Sequence, residues 1–138
     1  MSLPIPPDFH ALVVRTDFTD DDAFLEICRL IEASDCEGYT PTLLRVEDPA
    51  YDGATVEQLL RSPGLDYAFV VDSRAIADPE HPVLVVDLDP EFGQPGRTFR
   101  TIPAEVSAID ANLGISNMDY EEFAESVDAD GVFRGFSE

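Results

Sequence analysis

Tyr67-Ala68-Phe69-Val70-Val71-Asp72 and Val83-Leu84-Val85-Val86-Asp87 are two apolar runs, each closed by an aspartate. Neither alternates polar with apolar residues. A strand solvated on one face would alternate; a run without alternation fits a strand buried on both faces, which places helices on both sides of its sheet. The linker between them, residues 73–82, is short for a full crossover, so the two strands are expected to run antiparallel, or to be bridged by a one-turn helix through Ala75 to Ala77.

Outward from these runs the chain reads as alternating strands and helices. Ala11 to Val14 predicts a strand running on toward Phe18. Thr19 then caps a helix with Asp20, Asp21 and Asp22 in its first turn, and Phe24, Ile27, Cys28 and Ile31 form one helical stripe. Thr42 to Val46 predicts a second strand. Thr55 to Gln58 has capping-box spacing for a short helix ended by Ser62-Pro63-Gly64. Residues 89–97 are rich in Pro, Gly and polar types and read as a loop. Thr98 to Ile102 suits an edge strand. Pro103 opens a helix carrying Val106, Ile109 and Leu113, with Gly114 past its end. Ser116 or Asn117 caps a last helix bearing Tyr120, Phe123, Ala124 and Val127, and the tail from Gly131 to Phe136 is expected to pack down. The expectation is one α/β domain over residues 1–138, with an irregular segment at 1–9 and a mixed sheet of about five strands with helices on both faces.

Charge narrows the partners. In 138 residues there are 29 acidic and 8 basic side chains, a formal net charge of −21, and every basic residue is arginine. Such a surface repels nucleic acid and anionic membranes and attracts cations or basic proteins. At 44% apolar residues, arranged periodically, the acidity does not signal disorder. No stretch reaches the roughly 20 apolar residues of a membrane span, and no signal peptide is visible, so the expected compartment is the cytoplasm. The two cysteines, Cys28 and Cys36, form no CxxC pair; Cys28 falls on an apolar helix face.

Four aspartates, Asp17, Asp48, Asp72 and Asp87, end predicted strands. In an open parallel sheet, ligands bind outside those ends. If the strands are parallel, Asp17, Asp72 and Asp87 converge on a site whose oxygen ligands would favour Mg²⁺ or Ca²⁺. Against this, aspartate commonly ends strands, and one reversed strand scatters the set. Asp87-Leu88-Asp89 matches a phosphatase-like DxD only superficially, because the chain has no lysine to stabilise phosphoryl charge. Asp128-Ala129-Asp130-Gly131 fits part of an EF-hand loop, but its twelfth position is Ser137 and no exit helix follows. No nucleophile triad, phosphate loop or zinc spacing is present. Arg15 with Asp17, and Arg45 with Glu47, are spaced as same-face ion pairs on strands.

Three stretches together carry a resemblance: Arg15-Thr16-Asp17-Phe18 followed by acids; Val83 to Asp87 preceded by Pro79-Glu80-His81-Pro82; and Asn112-Leu113 through Asn117-Met118-Asp119-Tyr120-Glu121-Glu122-Phe123 to Gly131-Val132-Phe133-Arg134-Gly135-Phe136. They resemble a small bacterial domain family of unknown function over nearly the whole chain. That implies a stand-alone domain and no catalytic assignment.

The expected function is therefore a non-enzymatic interaction module that binds a basic partner, as an inhibitor or immunity protein does. Tyr39, Tyr51, Asp20 and Asp21 are its candidate contacts. The alternative is a divalent-cation-dependent binding protein or enzyme using Asp17, Asp72 and Asp87. A third reading takes the acidity as a mark of habitat alone.

Overall fold

The computed structural model describes residues 3–6, 10–36, 38–62, 64–114 and 118–136. Six strands form one sheet: β1 (His10–Arg15), β2 (Thr42–Val46), β3 (Tyr67–Val71), β4 (Val83–Asp87), β5 (Thr98–Thr101) and β6 (Val132–Phe133), in the order β2-β1-β3-β4-β5-β6. Between them lie α1 (Asp21–Glu32), α2 (Val56–Leu59), α3 (Ser73–Ala77), α4 (Val106–Gly114) and α5 (Tyr120–Ala124).

The unalternating runs are buried on both faces, as expected. On one face Ala11, Val13, Phe69, Val71, Val83 and Val85 pack against Phe24 and Ile27 of α1, Ile109 of α4 and Phe123 of α5. On the other, Leu12, Val14, Ala68, Val70 and Val86 pack against Leu59 of α2, with Leu3, Tyr51 and Leu65. Period-two side-chain geometry divides each strand between two cores, so both faces need apolar residues.

Chain direction follows connection length. β1 is parallel to β2 and β3, each reached through a helical crossover, whereas β3 to β4 is antiparallel. The 73–82 linker holds the one-turn helix α3 and still reverses the chain, so both expectations for it hold together.

Local capping departs from the sequence reading at three places, the first being Gly114, expected past the end of its helix and found as the last residue of α4. Asp20, not Thr19, caps α1: its carboxylate accepts the Ala23 N–H at 3.0 Å. The Thr19 hydroxyl instead donates to Asp17 at 2.6 Å. For α5 the suggested caps Ser116 and Asn117 lie outside the described residues. The helix starts after Asp119, whose N–H donates to Glu122 at 2.8 Å. The Thr55–Gln58 capping box forms as read.

The sixth strand comes from the tail. Val132 and Phe133 pair in parallel with Arg100 and Thr101, so β5 is not an edge strand. A two-residue strand has no period to read; it exists because Phe133 is fully buried beside Phe123.

The arginine pairs are also rearranged. Arg15, 5% exposed, pairs with Asp21 at 2.6 Å and donates to the Asp17 carbonyl, its guanidinium lying over the rings of Phe18 and Phe24. Arg45 pairs with Glu32 rather than Glu47. Arg134 is held by Glu80, Asp128 and Asp130 at 2.7–2.9 Å, so the carboxylates of the EF-hand-like turn hold a guanidinium.

Candidate functional site

The reversal of β4 decides the fate of the strand-end aspartates. Asp17 and Asp72 follow the parallel strands β1 and β3 at one end of the sheet. Asp87 ends antiparallel β4 and pairs in register with Tyr67, the first residue of β3, at the opposite end of the strands. The three therefore do not converge, and among the described residues no group of three or more His, Cys, Asp or Glu side chains is placed to hold a metal ion.

Each aspartate has its own partners. Asp17 accepts from the Thr19 hydroxyl and backbone, which hold its carboxyl below the ordinary aspartate range against the opposing effect of burial; Ser73 and Arg15 add to the lowering. Asp72 caps α3 through the Ala75 N–H and takes a two-pronged ion pair from Arg100 at 2.6 and 2.9 Å. Asp87 is 3% exposed; its two oxygens accept the N–H groups of Asp89 at 3.1 Å and Gln94 at 2.8 Å.

The expected contact residues are dispersed too. Tyr51 is 6% exposed and belongs to the second core, so it presents no ring to a partner. The Tyr39 hydroxyl donates to Asp110. Asp20 caps α1, and the exposed Asp21 pairs with Arg15.

A concave site does form at the end of the sheet where β3 begins and β4 ends. It is a cleft of about 380 Å³. Asp66 and Tyr67 come from the start of β3, Asp87, Asp89 and Phe92 from the end of β4 and the loop after it, Leu113 from α4, and Asp119, Tyr120 and Glu121 from the start of α5. Tyr67, Leu113 and Tyr120 also pack against the first core and give the cleft an apolar floor. Its carboxylates belong to Asp66, Asp87, Asp89, Asp119 and Glu121; its one cation is Arg97, 3.8 Å from Glu121. The repulsion is unrelieved at Asp66: burial first, then the charges of Asp89, Asp87 and Glu91, push its carboxyl above the ordinary range.

Behind the floor lies a buried polar cluster. Asp110 on α4 is 3% exposed and accepts from the Tyr67 hydroxyl at 2.8 Å and from Tyr39. Burial raises its carboxyl above the ordinary 3.8, although Tyr39, Tyr67 and the nearby charge of His10 pull it down. Burial and the same carboxylate push both tyrosine hydroxyls upward. The signal for Asp110 was present in the chain: an acid at the fourth position after Val106, inside an apolar helical stripe. Asp66 and Phe92 had no such mark, because their neighbours come from the chain reversal.

A family model for a domain of unknown function, DUF6924, matches residues 10–136. The chain belongs to this family. No curated protein matches it. The matched residues include every element that walls the cleft, and as a DUF6924 domain the chain carries no assigned chemistry. Among the described residues, no helix is long and apolar enough to cross a membrane.

The raised carboxyls set a pH response. A group whose folded pKa is raised contributes stability below its unfolded value and loses it as pH rises through the folded one; Asp110 and Asp66 are of this kind. Asp17 and Asp130, lowered by hydrogen bonds to Thr19 and Arg134, contribute above the ordinary 3.8 and lose it as pH falls. The melting temperature is thus expected to rise as the pH is lowered from neutral toward the ordinary carboxylate range and to fall below about pH 4. Asp110→Asn should flatten the rise. Melts of both proteins across that range check this, and an unchanged slope in Asp110→Asn would refute the role given to Asp110.

Proposed function

We propose that this domain is a non-enzymatic interaction module of the cytoplasm that binds a basic protein surface. The observation that carries the reading is the unbalanced cleft: five carboxylates around an apolar floor, with only Arg97 to offset them. Arg15, Arg29, Arg45, Arg100 and Arg134, five of the eight arginines, are each committed to carboxylates outside the cleft, so none of these five offsets the cleft's charge. Bringing like charges together costs free energy that an arriving cation recovers, and complementary charge speeds encounter. The net charge of −21 opposes nucleic acid as a partner. For the compartment, support comes from Cys28 and Cys36, which are not joined in a disulfide.

The test is a titration with a deca-arginine peptide, followed by calorimetry at low and physiological salt. Binding is expected to weaken with salt. Neutralising the cleft by Asp66→Asn, Asp89→Asn and Glu121→Gln together should weaken it tenfold or more. Neutralising Asp22, Asp52 and Glu57, exposed residues that do not line the cleft, should change it less than twofold. Equal effects of the two triple variants would mean that bulk charge alone attracts the peptide, and the reading would fall.

A further inference from the structure

Phe92 is 86% exposed, more than any other large apolar side chain among the described residues. A lone exposed hydrophobe needs no explanation on a mobile loop. This one stands on a loop that the chain holds in place. The Asp87 carboxylate, itself buried, accepts the N–H groups of Asp89 and Gln94. The Asp89 carboxylate accepts those of Glu91 and of Phe92 itself, at 2.9 and 3.1 Å. Two backbone bonds close the base: Asp87 N–H to the Arg97 carbonyl and Gly96 N–H to the Asp87 carbonyl, both at 2.9 Å. The turn folds so closely over Asp87 that a Cβ at Gly93 would overlap its carboxylate. Residue 93 is therefore glycine for steric reasons, and the backbone carrying Phe92 is ordered before anything binds. Ordering in advance removes a cost that a flexible loop meets on association.

The surroundings define what such an aromatic knob would enter. Asp66 and Asp89 line the same cleft as Phe92, and Glu91 precedes it in the chain; burial first, then the charges of Asp89, Asp87 and Glu91, raise the Asp66 carboxyl. A second copy of this chain, at −21, would be repelled. We propose that the 88–97 loop is the docking anchor of the module: Phe92 enters an apolar pocket on a basic protein while Asp89 and Glu91 meet arginine or lysine side chains at the pocket rim. Aromatic anchors at the centre of a charged contact are a common source of binding energy. The inference rests on the acidic-module reading and adds to it the residue that confers preference for an apolar target.

Two labelled peptides of equal charge separate the two claims by fluorescence anisotropy at physiological salt: one alternating arginine with leucine, the other arginine with glycine. The wild-type domain is expected to bind the arginine–leucine peptide at least tenfold tighter. Phe92→Ser should erase that preference, leaving binding of the arginine–glycine peptide within twofold and the melting temperature unchanged. Gly93→Ala, which displaces the loop while keeping the phenyl ring, should reduce the preference in the same direction. Binding of both peptides with equal affinity, or a leucine preference that survives Phe92→Ser, would overturn the anchor and leave the acidic module standing. Failure of both peptides to bind would overturn the two together. Dimerisation of the wild type that Phe92→Ser abolishes, read by sedimentation, would overturn the basic partner in favour of a second copy.

Discussion

Phe123→Ala is expected to destabilise the domain by about 3–5 kcal/mol, the usual cost of emptying a buried phenylalanine site. Phe123 is fully buried, meets Phe133 edge to face with ring centres 5.4 Å apart, and lies 5.5 Å from Phe136. It is the main apolar attachment of α5, a five-residue helix too short to persist alone. The other attachment is Tyr120, whose hydroxyl lies 2.8 Å from the Val85 carbonyl and 2.9 Å from that of Arg97, one O–H shared between them. Losing the ring therefore loosens α5 and β6 together, and with them the cleft wall formed by Asp119, Tyr120 and Glu121. Urea denaturation measures the stability loss, and the deca-arginine titration should weaken in parallel. Phe136→Ala, at a half-exposed position, should cost less than half as much. A loss under about 1 kcal/mol in Phe123→Ala would mean that the aromatic cluster does not hold the C-terminal third in place.

Asp87→Ala is expected to cost about 2–4 kcal/mol, since it leaves the N–H groups of Asp89 and Gln94 without their acceptor at a position 3% exposed. Asp87→Asn keeps one acceptor oxygen and should cost about half of that. Hydrogen exchange at the amides of Asp89, Phe92 and Gln94 should quicken in the alanine variant while amides of the central strand β3 keep their protection relative to global stability. The same variant separates a loop-organising role from the cation-binding role that the sequence suggested. If Asp87 were a ligand, Mg²⁺ or Ca²⁺ at matched ionic strength would raise the melting temperature of the wild type above that in NaCl, and the increment would vanish in Asp87→Ala. For a carboxylate spent on backbone N–H groups, the expected increment is the same in both proteins.

Asp87 also shows how far a sequence reading reaches. That it ends a strand followed by a loop was legible, because an apolar run breaks at it. Which end of the sheet it occupies was legible only in part, since the short 73–82 linker pointed to an antiparallel β4 but left a one-turn helical bridge open. Direction turned on whether residues 73–82 could carry the chain back across the sheet, a matter of geometry rather than of residue type. The metal-site expectation failed to assemble at that step. Tyr51 failed for a related reason: an aromatic in a turn-rich stretch reads as exposed, and only packing against Leu12 and its neighbours on the second face buries it. Asp110 is the reverse case, an acid within an apolar helical stripe that could have been singled out from spacing alone.

Residue order by itself determined the α/β class, the buried strands β3 and β4, the stripe of α1, the capping box of α2 and the overall negative charge, because each rests on local period, local hydrogen bonding or simple counting. Only the tertiary structure decided the sixth strand, the partners of the arginines, the separation of Asp87 from Asp17 and Asp72, and the gathering of Asp66, Asp89, Asp119 and Glu121 around one cleft beside Phe92. Those features depend on which distant segments meet, and that is set by strand pairing across the sheet and by the burial of a few aromatic rings, neither of which can be read from local period or local hydrogen bonding alone.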